Sequence, residues 1–218
     1  MVVTTVHGLP PLKGVLIDFG GVLSREGFRG GLYAIARKNG LDPEPFFHLA
    51  SDVIYDTGYI TGRATEADYW EALRRATGIR GTDADLTGEI LLRFILRPVM
   101  IDAVRSLRRE GYVVAIASDQ VDWLERLDER DHFYKEFDRV FNSYRLGKGK
   151  RDATVFDDMA NALNREPGEL LFLDDNAGNV ERAASRGMYG MVVVNTEDTV
   201  EELRLLPPCR EARCDPRP

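Results

Sequence analysis

Five short runs dense in Val, Ile, Leu and Phe constrain this chain more than any other feature: Gly14 to Asp18, Tyr112 to Ala117, Arg139 to Asn142, Leu170 to Leu173 and Met191 to Val194. Each is shorter than an ordinary helix and apolar at consecutive positions, the pattern of strands buried on both faces of a sheet. Helical stretches such as Asp152 to Leu163 and Asn179 to Arg186 separate the later runs, with Gly111 and Gly187 placed as helix stops. Strands alternating with helices predict an α/β chain, a Rossmann-like parallel sheet with helices on both faces.

The interval from Arg25 to Leu96 breaks the alternation. It carries helical periodicity instead, in Leu32, Ile35 and Ala36, then Phe46, Phe47 and Ala50, then Tyr69, Trp70, Leu73 and Arg74, then Ile90, Leu91, Phe94 and Ile95. Thr65-Glu66-Ala67-Asp68 fits a capping box, so a helix is expected to start close to Thr65. The expected organisation is a core of residues 1–24 and 97–205, an all-helical insertion over 25–96 after the first strand, and a disordered tail over 206–218. That Pro- and Arg-rich tail holds the only cysteines, Cys209 and Cys214, and two thiols without nearby His fall short of a zinc site.

In open parallel sheets, ligands bind beyond the carboxyl ends of the strands, so the residues found there are the candidates for chemistry. The first strand run ends in Asp18-Phe19-Gly20-Gly21, the second leads into Ser118-Asp119, the third passes through Ser143 to Gly147-Lys148-Gly149-Lys150, and the fourth leads into Asp174-Asp175-Asn176. Two carboxylates about 4 Å apart repel by roughly 4 kcal/mol at an effective dielectric of about 20. Asp18, Asp174 and Asp175 in one crevice therefore call for a proton or a cation, and a hard divalent ion with oxygen ligands, Mg2+, answers that need while attracting a phosphate. One carboxylate is then free to attack phosphorus, with Ser118 and Lys150 holding the phosphoryl oxygens.

At these residues the chain resembles the haloacid dehalogenase (HAD) superfamily. VLIDFGGVL is similar to its first motif, AIASD to its second, SYRLGKGKRDATVF to its third and LLFLDDNAGNVERAASRGM to its fourth. YDTGYITGRATEADYWEALRRATGI resembles the helical cap of the subgroup that includes sugar 1-phosphate phosphatases and the phosphatase domain of soluble epoxide hydrolase. The resemblance implies a cap over residues 25–96 and a magnesium-dependent phosphatase of a small phosphorylated metabolite, a sugar phosphate among the options. It implies Asp18 as nucleophile and metal ligand, the Gly20 carbonyl as a further metal contact, Asp175 as a direct ligand, and Asp174 as a second ligand or its support. It also implies Lys150, rather than Lys148, as the lysine of the third motif, and Ser118, Asp119 and Lys150 as phosphate-binding positions.

Two departures from the family pattern stand out. Most phosphatases of this group place an Asp two residues beyond the nucleophile as general acid, where this chain has Gly20 and some relatives that are sugar 1-phosphate phosphatases also have glycine. Loss of such a group costs about 10² to 10⁴ in rate, so the resemblance implies a slow enzyme, another proton donor, or an ester whose leaving oxygen needs little protonation. Asp119 stands where relatives carry Asn, and it reads either as the N-cap of a helix over Val121 to Arg130 or as a substitute proton donor. Two other readings follow: a non-catalytic or weakly active binding protein, and a haloacid dehalogenase, against which the acidic pair speaks. Within the cap, Arg25, Arg29, Tyr55, Tyr59, Tyr69, Trp70 and His48 are read as surface or packing residues. The formal charge of −7 argues against nucleic acid or anionic membrane as partner, and no run of about 18 apolar residues occurs. The expectation is a cytoplasmic monomer or homodimer acting on a small molecule.

Overall fold

The computed structural model describes residues 1–209. Six strands, β1 (Val2–Val3), β2 (Gly14–Ile17), β3 (Val113–Ser118), β4 (Arg139–Asn142), β5 (Leu170–Asp174) and β6 (Tyr189–Val192), form one sheet in the order β1-β6-β5-β2-β3-β4. Every pairing is parallel, as expected of an α/β chain. The two-residue β1 carries too short an apolar run to signal a strand, and it exists by pairing with β6.

Alternation along the central strands divides the core in two. Val15, Ile17, Val114, Ile116, Leu171 and Leu173 face one layer, which includes α5 (Pro98–Arg109) and α10 (Thr196–Arg204). Leu16, Val113, Ala115, Ala117, Leu170 and Phe172 face the other, with α8 (Val155–Ala162) and α9 (Ala177–Ser185). Both faces are therefore covered, which is why these strands read as continuous apolar runs. Gly111 and Gly187 both adopt positive φ, at 95° and 91°, just past α5 and α9.

Between β2 and β3 lie α1 (Gly27–Lys38), α2 (Pro43–Asp56), α3 (Glu66–Thr77) and α4 (Asp83–Leu91), with α1 packed against both α2 and α4. Thr65 caps α3 in a complete capping box: its side chain accepts from Asp68 N and the Asp68 side chain accepts from Thr65 N. The helical periodicity runs one turn too far at the end of this interval, because α4 stops at Leu91 and Ile95 is half exposed. The chain enters and leaves these helices side by side, with Arg25 N donating to Ile95 O at 2.9 Å and Arg97 N to Leu23 O at 2.9 Å.

Part of the expected disordered tail is ordered. Leu206 is buried, Tyr112 Oη donates to Pro207 O, and Cys209 N donates to Glu110 O at 2.8 Å, so residues 206–209 lie against the end of α5. Pro and Arg content misled there, because backbone hydrogen bonds to the core fix this segment. Cys209 is a free, half-buried thiol; Cys214 and the rest of the tail lie outside the described residues. Among the described residues no helix is long and apolar enough to cross a membrane.

Candidate active site

The parallel register brings β2, β3 and β5 to a common carboxyl end, where Asp18, Ser118, Asp119, Asp174 and Asp175 meet around one cavity of about 220 Å³. One carboxylate oxygen from each of Asp18, Asp174 and Asp175 lies within 4.8 Å of the others. Lys150 is 1% exposed and drives its ammonium into this cluster, donating to Asp18 Oδ1 and, at 2.6 Å, to Asp174 Oδ2. Its Nζ also sits 5.3 Å from the centroid of the Phe172 ring. Lys148, the alternative, donates to Asp158.

The charges at this site do not balance. Burial alone would depress the Lys150 pKa, but attraction to Asp174, Asp18 and Asp119 outweighs it and leaves the lysine raised, a fixed cation. Burial pushes the Asp18 carboxyl well above the usual carboxylate range against the pull of Lys150, and Asp174 adds repulsion. Asp175, at the rim, is raised by the protein packed around it and then by Asp174. Three carboxylates face one ammonium, a surplus that a proton or a hard divalent cation would relieve. An all-oxygen donor set fits Mg2+ in this respect.

Local structure sets how free each acid is. Asp174 is heavily engaged: Oδ1 accepts from Asn176 N at 2.8 Å, while Oδ2 accepts from Lys150 and from Asn179 Nδ2 at 3.0 Å. Asn176 caps α9 by accepting from Gly178 N and Asn179 N, which places Asn179 beside Asp174. Asp175 leans over Gly21, whose φ of 84° suits glycine and where a methyl group would overlap the Asp175 carboxylate. Gly20 lines the same cavity, as does the buried Ser118.

Asp119 is not a helix cap. The following helix, α6, spans Trp123–Asp131 with Asp122 at its N-cap. The Asp119 carboxylate turns the other way, accepting from Lys150 N at 2.8 and 3.1 Å and from Tyr55 Oη at 3.0 Å. It thereby ties the lysine loop of the core to α2, a tertiary role that no local pattern announces. Tyr55 in turn lies under the Arg151 guanidinium, 3.4 Å from its ring centroid.

Several cavity residues have no motif to mark them. Glu26, Phe28, Ser51, Ile54, Ile60 and Phe94 line the cavity from the helical insertion, and Gln120 lines it from the core. The Ser51 hydroxyl is buried with no hydrogen-bond partner. Glu26 Oε2 accepts from Arg29 N at 2.6 Å. Tyr59, Tyr69 and Trp70 are fully buried packing residues, Arg29 stacks on Phe47, and His48 stays exposed beside Glu44. The only signal for the lining residues is their place in helices that must fold back over a sheet end.

Comparison with known proteins agrees with this arrangement. The model of the haloacid dehalogenase-like hydrolase family matches residues 12–186. Bifunctional epoxide hydrolase 2 of Mus musculus is 30% identical over 118 residues, 51% of this chain and 21% of that protein. Sesquiterpene phosphatase astK of Aspergillus oryzae is 27% identical over 111 residues, 50% of this chain and 57% of that protein. The matched segment thus spans only part of the length of these relatives. Among solved structures, a HAD-like family hydrolase from Porphyromonas gingivalis superposes with a TM-score of 0.70 at 24% identity, over 90% of this chain and 99% of that one. A HAD family enzyme from Bacteroides thetaiotaomicron, solved with magnesium and inorganic phosphate, gives 0.65 at 21% identity, over 83% and 93%. These structural likenesses concern the fold. With the family match extending through β2, β3, β4 and β5 and the acids gathered at their ends, the chain belongs to the haloacid dehalogenase-like hydrolases.

Proposed function

We propose that this hydrolase is a magnesium-dependent phosphatase of small phosphomonoesters that works through an aspartyl-phosphate on Asp18. The observation that carries the reading is the convergence of Asp18, Asp174 and Asp175 on one cavity with a buried lysine between them. A fungal relative is named a phosphatase and a structural neighbour holds magnesium with phosphate, which supports the same reading.

In this reading Asp18, Asp175 and the Gly20 carbonyl hold the ion, with Asp174 as a further ligand or as the anchor of Lys150. Bound there, Mg2+ supplies positive charge opposite the phosphoryl oxygens. Lys150 orients Asp18, works against the rise that burial imposes on its pKa and, with Ser118, offers donors to the phosphoryl group as charge develops on it. Asp119 fixes the backbone of Lys150 and, lining the same cavity, keeps its place among the phosphate-side positions. Residues 25–96 act as a cap over a core of residues 1–24 and 97–205, closing the cavity to water. The small cavity restricts the substrate to a compact phosphoester. Ser51, Gln120 and Asn179 provide partners for substrate hydroxyls, which a sugar phosphate would satisfy.

A panel of phosphoesters assayed with and without Mg2+ tests this. Hydrolysis is expected to need the metal and to fall by at least about 10³-fold in Asp18→Asn, since the nucleophile is lost. Turnover that survives both chelation and Asp18→Asn would refute the assignment. Binding of phosphoesters with no turnover would favour the second reading, a non-catalytic binding protein, which draws on Gly20 alone.

A further inference from the structure

A phosphatase of this design gains about 10² to 10⁴ in rate from a proton donor when the departing oxygen is a poor leaving group, and the position two residues past Asp18 is a glycine. We propose that Glu26 is that donor, a catalytic residue reaching from the N-cap of α1 into the space beside Gly20. The inference rests on the phosphatase reading above.

The geometry comes from what surrounds Gly20. A Cβ built there would lie 3.9 Å from Glu26 Oε1 and 3.6 Å from Phe94 Cε1, so a carboxyl oxygen already stands in contact range of the side-chain position that Gly20 leaves empty. Glu26 lines the same cavity as Asp18, Ser118 and Asp175. Its side chain is exposed, as a group that must meet substrate has to be.

Glu26 is also held in place. Its Oε2 accepts from Arg29 N, and a methyl group at Gly27 would overlap the Phe94 ring, so the start of α1 packs directly on Phe94. Ser, Thr, Asp and Asn are the usual N-caps, because their short side chains reach the helix N–H groups and go no further. Glutamate is one methylene longer than Asp, and here one oxygen caps the helix while Oε1 is turned toward Gly20.

In the first step an Asp18 carboxylate oxygen bonds to phosphorus as the bond from phosphorus to the ester oxygen breaks. The electron pair stays on that oxygen, which takes the proton from the Glu26 carboxyl, and the alcohol departs. Glu26, now a carboxylate, takes a proton from the water that attacks phosphorus. The bond from phosphorus to Asp18 breaks, its electron pair returns to the Asp18 carboxylate, and inorganic phosphate leaves.

The test uses leaving-group dependence, which a structural role would not produce. Wild type, Glu26→Gln and Glu26→Asp are compared on 4-nitrophenyl phosphate, whose phenolate leaves without protonation, and on alkyl phosphates, whose alkoxides do not. Glu26→Gln is expected to lose about 10²-fold or more in kcat/KM on the alkyl esters and less than about threefold on the aryl ester. Glu26→Asp, which withdraws the carboxyl by one methylene and keeps an N-cap, should show the same selectivity with a smaller loss, and it carries the test if the Gln variant fails to fold. Equal losses on both ester classes, or no loss on the alkyl esters, would overturn the proposal. Absence of Asp18-dependent hydrolysis of 4-nitrophenyl phosphate by the wild type would instead show that the phosphatase reading itself has failed.

Discussion

Gly21 shows how tightly single residues constrain the site. Its φ of 84° and the Asp175 carboxylate standing where a Cβ would lie leave no room for a side chain. Gly21→Ala should therefore both strain the backbone, at about 1 to 3 kcal/mol, and push Asp175 out of the acid cluster. The expected outcome is a lower urea midpoint together with weaker Mg2+ binding by calorimetry; unchanged metal affinity would mean that Asp175 is not a ligand. At this scale the sequence was informative where chemistry and spacing coincide. Asp18, Ser118, Asp174, Asp175 and Lys150 could be placed because each follows a strand or belongs to a motif. Of the roles open to Asp119, the structure excludes the helix cap, since its partners, Lys150 N and Tyr55 Oη, lie 31 and 64 residues away.

Among the elements, α3 has a start dictated locally by a full capping box. Thr65 and Asp68 each accept the other's backbone N–H. Thr65→Ala is expected to cost about 1 kcal/mol of stability through loss of that cap, measured by urea unfolding, and to leave kcat unchanged because no cavity-lining residue belongs to α3. A loss well beyond about 2 kcal/mol would mean that Thr65 does more than cap. By contrast α6 begins at Trp123, later than the sequence suggested, because Asp119, Gln120 and Val121 serve the core instead: Val121 O accepts from Asn142 Nδ2 and Gln120 O from Ser143 Oγ. The two-residue β1 is decided the same way, by a neighbour distant in sequence.

Across the whole molecule, the helical insertion is tied down to the sheet end. Ser143 Oγ donates to Ile60 O at 2.8 Å, Tyr59 Oη donates to Asp122, Trp123 Nε1 and Arg126 donate to Glu66, and Arg130 donates to Leu91 O and Phe94 O. These contacts hold the insertion beside the cavity in which three carboxylates face one buried ammonium, so metal binding should report on the entire fold. A ligand that binds only the folded state adds about 2.7 kcal/mol at a hundred times its Kd. For a chain of this size that is roughly 5 to 10 °C in Tm. Calorimetric melting in saturating Mg2+ against chelator should show such a rise, largely lost in Asp175→Asn; no rise in the wild type would argue against a metal site. The sequence alone determined the α/β class, the helical interval and the acids, lysine and serine at the strand ends, because strand burial and turn chemistry are written locally and parallel strands carry their carboxyl ends to one edge. Only the tertiary structure decided which residues of the insertion reach the cavity, that Asp119 ties α2 to the lysine loop, and that Glu26 stands beside Gly20. Those contacts depend on how α1 and α2 fold back across the sheet end, a relation between surfaces that no short stretch of residues encodes.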